Sequence, residues 1–139
     1  MNVEVEHPDV KPLLSNPVET AFEALRTSGH YPINHTVVVK DELLDAHPEL
    51  GEDIFHAFAA AKRLYVERLR SGQIAAPTKT DERYKRVMEI TGADPLPYGI
   101  ASNRRMIETV MQYATDQKII ERALSVEELF APGTLELTG

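Results

Sequence analysis

The sequence predicts an α/β chain that is rich in helix and poor in strand, and three observations carry that expectation. Apolar residues recur every three or four positions at Leu50, Ile54, Phe58, Ala61, Tyr65 and Leu69, the period of one buried helical stripe. Helix-opening signals stand at Asn16-Pro17-Val18-Glu19 and Ser125-Val126-Glu127-Glu128, where a short polar residue precedes an acid three positions later. Against these stands one β-branched run, Val37-Val38-Val39, which suits a strand covered on both faces.

Residues 1–15 are polar, carry Pro8 and Pro12, and read as a linker or, through Val3 and Val5, as a short edge strand. Residues 16–139 form the expected domain. Asn16 caps its first helix, Pro17 suits the first turn, Glu19 reaches back, and Val18, Phe22 and Leu25 supply the apolar stripe before Gly29 ends it. A crossing through His30 and Tyr31 leads to the strand, which Pro32 can open but could not occupy internally. After Lys40 the chain turns helical through Asp41-Glu42-Leu43-Leu44, pauses at His47-Pro48, and continues as a long helix to about Ser71, closed by Gly72. Glu49, Glu52 and Asp53 near its start and Arg68 and Arg70 near its end complement the helix dipole.

Residues 73–79 are a proline-bearing connector. A helix is expected over 81–91, with Thr80 as cap and Tyr84, Val87, Met88 and Thr91 turned inward. Residues 93–99 hold two prolines and a terminal glycine and read as an irregular loop. The next helix starts near Ala101 or Ser102 and turns Ile107, Val110, Met111 and Ala114 inward. A short helix follows Ser125 and is stopped by Pro132 and Gly133.

A chain of 139 residues fits one ordinary domain and buries roughly 68% of its unfolded surface. Hydrophobic content of 42% and charged content of 27% make a folded chain the default expectation. The net charge of −7 repels phosphate backbones, so nucleic acid is not an expected partner, and Arg83, Lys85 and Arg86 read as a solvated helix face. No cysteine is present, which excludes disulfides, thiolate metal sites and cysteine nucleophiles. Neither a long apolar span nor a basic and apolar leader is visible, so a cytoplasmic location without membrane contact is expected, with the natural N-terminus open to lying upstream of Met1.

Asn34 and His35 stand at the mouth of the expected strand and point to opposite faces. Each then needs a polar partner or a cleft. His35 is either a core histidine satisfied by a backbone carbonyl or a proton-handling group, since histidine titrates near neutral pH. His7, His30, His35, His47 and His56 offer a metal alternative, with Glu49, Glu52 and Asp53 as oxygen donors. The spacings match no His-x-x-x-His pair on one helix face, so neither metal nor cofactor is expected. Acyl-enzyme chemistry and nucleotide hydrolysis lack their Gly-x-Ser-x-Gly and glycine-rich signatures.

Three phrases are more particular: YPINHTVVVKDELL at 31–44, LPYGIASNR at 96–104 and LSVEELFAP at 124–132. In this order, from about Pro12 to Thr134, the chain resembles the C-terminal portion of 4,5-dihydroxyphthalate decarboxylase-like proteins. The resemblance implies the C-terminal portion of a two-lobed periplasmic-binding-protein type II-like fold. Family members are considerably longer on the N-terminal side, so a shortened product or an excerpt of a longer protein is expected. The implied activity is non-oxidative decarboxylation of 4,5-dihydroxyphthalate to protocatechuate in aromatic catabolism, which the fragment alone is not expected to perform. The rival is a solute-capture module for an ABC-type transporter, which the same fold serves.

Such a decarboxylase must grip carboxylates, draw electron density from a ring hydroxyl and deliver a proton to the ring carbon. His35, with Asn34 beside it, is the catalytic candidate. Arg104, and after it Arg105, can hold a carboxylate through a planar guanidinium. Both are expected in the first turn of a helix, where a cation opposes the dipole unless an anion lies nearby. Tyr98 and Asn103 can contact catechol oxygens, although a loop aromatic plugging a core edge is the commoner role for a residue such as Tyr98, and a helix cap an equally ordinary one for Asn103. The expected partner is a small aromatic carboxylate, and homo-oligomers are expected from apolar surface left around Val37-Val38-Val39.

Overall fold

The computed structural model describes residue 7, residues 9–11 and residues 13–139. The edge strand expected at Val3 and Val5 lies outside them. The chain divides into two units, residues 1–30 and residues 31–139.

In the first unit, α1 (Pro17–Ser28) begins and ends where its signals stand. Phe22 and Leu25 are its buried residues, whereas Val18 is 44% exposed. The Asn16 side chain makes no cap bond; its carbonyl instead accepts from the Thr20 N–H at 3.0 Å and the Thr20 hydroxyl at 2.9 Å. At the other end the Gly29 N–H donates to the Leu25 carbonyl.

The second unit opens with a correction. Residues 31–40 form no strand, and Val37 and Val38 are 60% and 87% exposed instead of buried on both faces. β-Branching favours extended backbone, but a strand exists only when a neighbour accepts its ladder, and no described residue supplies one. The β-bridge among the described residues is the isolated antiparallel pair Gly99 and Thr138. The described chain is therefore helix-rich with almost no strand, as part of an α/β protein can be.

Short α2 (Asp41–Ala46) leads to α3 (Leu50–Arg70), which carries Glu52 and Asp53 in its first turn and Arg68 and Arg70 in its last, as the dipole favours. Its buried face is rotated from the expected stripe. Ala59, Lys62, Val66 and Leu69 are buried, while Phe58 is half exposed and Ala61 exposed. What covers the helix decides this: Gly139 lies so close that a Cβ there would sit 2.9 Å from Ala59 Cβ, and Lys62 finds a carboxylate on the 93–99 loop.

The next helix, α4 (Lys79–Thr91), is capped by Thr78 rather than Thr80. Thr78 has Asp81 three residues on and completes a reciprocal box, whereas Thr80 would meet Arg83, which has no acceptor to return. Asp81 and Val87 are its buried residues, Tyr84 and Met88 are half-buried, and Thr91 is exposed.

After the 93–99 loop, α5 (Ile100–Asp116) starts directly behind Gly99. Ile100 and Ile107 meet Val126 of α6 (Val126–Leu129) in a core flanked by Leu129, Phe130 and Leu135. Val110, expected inside, is 52% exposed. The Ser125 box forms as its spacing predicts, with Ser125 accepting from the Glu128 N–H at 3.2 Å and Glu128 accepting from the Ser125 N–H at 2.8 Å. Pro132 and Gly133 do not merely stop the chain but enter a 3-10 turn, Pro132–Thr134. Among the described residues no helix is long and apolar enough to cross a membrane.

Candidate functional site

The 93–99 loop gathers the most chemistry in the second unit. Two prolines limit its backbone N–H groups, so side chains supply much of what holds it. Lys62 reaches it from the covered face of α3. Its side chain is 3% exposed, its ammonium is ion-paired with the Asp94 carboxylate, and it stands 5.2 Å from the centre of the Tyr98 ring. A buried ammonium persists only with such a counter-charge, and the aromatic face adds attraction.

Asp94 uses both oxygens, one on Lys62 and the other accepting the Leu96 N–H at 2.8 Å. The Tyr31 hydroxyl donates to the Pro95 carbonyl at 2.6 Å. Burial, and then the proximity of Tyr84 and Asp94, pushes the Tyr31 hydroxyl up from its ordinary pKa. Asn103, one turn into α5, donates through Nδ2 to the carbonyls of Pro97 and Gly99, each at 2.8 Å. Tyr98 is also paired through its backbone, donating to the Gly139 carbonyl at 2.9 Å and accepting from the Gly139 N–H at 3.2 Å.

A second polar group lies between α3 and α4. The Tyr65 hydroxyl donates to Asp81, and the Tyr65 and Tyr84 rings meet edge to face at 6.2 Å. The Tyr65 hydroxyl, with Thr78 after it, holds the Asp81 carboxyl below the usual carboxylate range, while burial and that same bond raise Tyr65. Asp81 thus closes the cap of α4 and fastens α4 to α3.

The expected site residues fall into separate places. Tyr98 and Asn103 are brought together by the 93–99 loop. Asn34 and His35 lie exposed on the irregular segment 31–40, with no hydrogen-bond partner among the described residues, so His35 is not the satisfied core histidine. Arg104 is the fifth residue of α5 rather than part of its first turn, because the helix begins at Ile100. Its guanidinium donates to Glu127 at 2.9 Å and lies 3.7 Å from Glu108, which answers within the chain the missing anion its position called for. Glu127 raises the Arg104 pKa and is itself lowered in return. Arg105 is exposed, and its carbonyl accepts the Thr109 hydroxyl at 2.7 Å. Neither a hydrogen bond nor an ion pair between described residues joins His35 to Arg104.

Lys62, Asp94 and Tyr31 were absent from the sequence candidates. The visible signal was the spacing of Lys62, three residues after Ala59 and four before Val66, a cation on a row of small and β-branched residues. His56 and His47 each stand beside a single acid, 3.4 Å from Glu52 and 3.9 Å from Glu49, and among the described residues no three metal-binding side chains converge. A surface concavity on α1, bordered by Glu19, Thr20, Glu23, Ala24 and Arg26, holds none of the candidates.

No family model matches the chain. A curated protein, the 4,5-dihydroxyphthalate decarboxylase of Comamonas testosteroni, is 28% identical over 132 residues. The match covers 94% of this chain and 40% of that protein. It supports relatedness between the two, and the chain spans less than half the length of the relative. A match of that extent takes in residues 31–44 and 96–104, and with them His35, the 93–99 loop and the start of α5.

Proposed function

We propose that this chain serves in the non-oxidative decarboxylation of 4,5-dihydroxyphthalate to protocatechuate, as part of a longer protein. The observation that carries the reading is the similarity, over 94% of this chain and 40% of the relative, to a 4,5-dihydroxyphthalate decarboxylase. The chemistry asks for a proton at the ring carbon bearing the leaving carboxylate, with electron density supplied by the hydroxyl para to it. The electron pair of the broken C–C bond then returns to the ring as carbon dioxide departs. One proton replaces one carboxylate, and no oxidant is consumed.

His35, with Asn34 beside it, moves the proton in this reading; an exposed imidazole can reach a ligand and carries both a donor and an acceptor nitrogen for acid and base work. Arg104 holds the second carboxylate by exchanging it for Glu127. That exchange costs little, because an ion pair with both partners near half exposed is worth little in water. Arg105 is the alternative grip on the same helix. Tyr98 on the held loop and Asn103 in the first turn of α5 face the catechol oxygens.

The test is incubation of the full-length protein with 4,5-dihydroxyphthalate, following product by chromatography. Equal amounts of protocatechuate and carbon dioxide support the reading. Saturable binding without turnover sinks it and favours solute capture.

A further inference from the structure

We propose that Lys62 is the positioning residue of the 93–99 loop, acting through Tyr98: its ammonium, held between Asp94 and the Tyr98 ring, fixes that ring for contact with a planar aromatic carboxylate. The nature of the ligand rests on the function proposed above; the positioning rests on geometry. Seven residues are held from several directions, by Lys62 at Asp94, Tyr31 at Pro95, Asn103 at Pro97 and Gly99, and Gly139 at Tyr98. Of these holds, Lys62 alone joins a buried charge to an aromatic face.

A structural lysine would need only its counter-ion. The chain instead buries Lys62 to 5% exposure and sets its ammonium near the face of a ring that is itself half-buried, an arrangement that limits the ring's motion and biases its electron density. Sites that act on a ligand need side chains held to within about 0.5 Å by a supporting layer. Among the described residues Lys62 is placed to give Tyr98 that support. It does not itself touch the ligand, because Asp94 occupies its ammonium.

The experiment compares full-length wild type, Lys62→Met and Asp94→Asn, the last retaining an acceptor for the Leu96 N–H in case the first fails to fold. With 4,5-dihydroxyphthalate as probe, Lys62→Met should lower kcat at least tenfold with KM within threefold, and Asp94→Asn should repeat the split more weakly. In proteins carrying ring-labelled tyrosine, both variants should shift the NMR signal of Tyr98, assigned by Tyr98→Phe, while the exposed Tyr113 signal stays in place. A lowered melting point with kcat and the Tyr98 signal unchanged overturns the proposal, as does a raised KM at constant kcat, which would put Lys62 on the ligand. If wild type does not turn the probe over, the decarboxylase reading fails on its own, and the Tyr98 signal alone decides the positioning.

Discussion

Replacing Gly99 by alanine sets a methyl group onto the Leu137 carbonyl oxygen and 3.2 Å from Thr138 Cα. Gly99 has φ +100° and ψ 161°, a region that only glycine occupies freely. Forcing alanine into it costs about 2 kcal/mol. Moving the backbone to relieve the collision disturbs the paired hydrogen bonds between Tyr98 and Gly139 next to it, at about 1 kcal/mol for each bond lost. With both bonds lost, a total near 4 kcal/mol lowers the melting temperature of a chain this size by about 14 °C. Gly92→Ala is the control, since Gly92 also has positive φ, 65°, but nothing lies within 4 Å of its added Cβ; it should cost about 1 kcal/mol. Thermal unfolding followed by circular dichroism measures both. If Gly99→Ala costs no more than Gly92→Ala, the pairing with the C-terminal residues does not hold the loop.

Three further outcomes follow from particular contacts. Thr78→Ala removes the cap of α4 and should cost about 1 kcal/mol in urea unfolding, whereas Thr80→Ala should be close to neutral. Glu128, held at about 2 by Arg122 and by the Ser125 N–H, contributes stability that is fully present above the ordinary carboxylate range. That contribution is lost as pH falls from about 4.5 toward 2, so Glu128→Gln should flatten this part of the melting-temperature profile; an unchanged slope would refute the assignment. Val38→Asp, at a position 87% exposed, should leave unfolding almost unchanged yet reduce the average mass in light scattering if the segment around Val37 and Val38 drives self-association.

Helix identity was legible because it rests on local information. Asn16-Pro17, Ser125 with Glu128, and the run from Leu50 to Arg70 each carry their start, period or stop within a few residues. What failed depended on partners distant in sequence. Val37-Val38-Val39 has strand-forming residues, but no described neighbour takes up its hydrogen bonds. The buried face of α3 turned on Lys62, which periodicity counts as polar and which goes inside only because Asp94 lies 32 residues away in sequence. The cap of α4 falls on Thr78 and not on Thr80 because only Thr78 has an acid, Asp81, three positions on. Arg104 was a fair candidate for an anion, and the anion it meets in this structure is Glu127.

Turnover in heavy water tests whether the protein proposed to contain this chain removes a carboxylate from an aromatic ring without oxidation. Full-length protein is incubated with 4,5-dihydroxyphthalate in D2O under nitrogen, and the product is examined by mass spectrometry and proton NMR. One carbon dioxide should be released per substrate, with protocatechuate bearing a single deuterium at the vacated ring carbon. Intact substrate, or release of carbon dioxide only when oxygen is admitted, would contradict it.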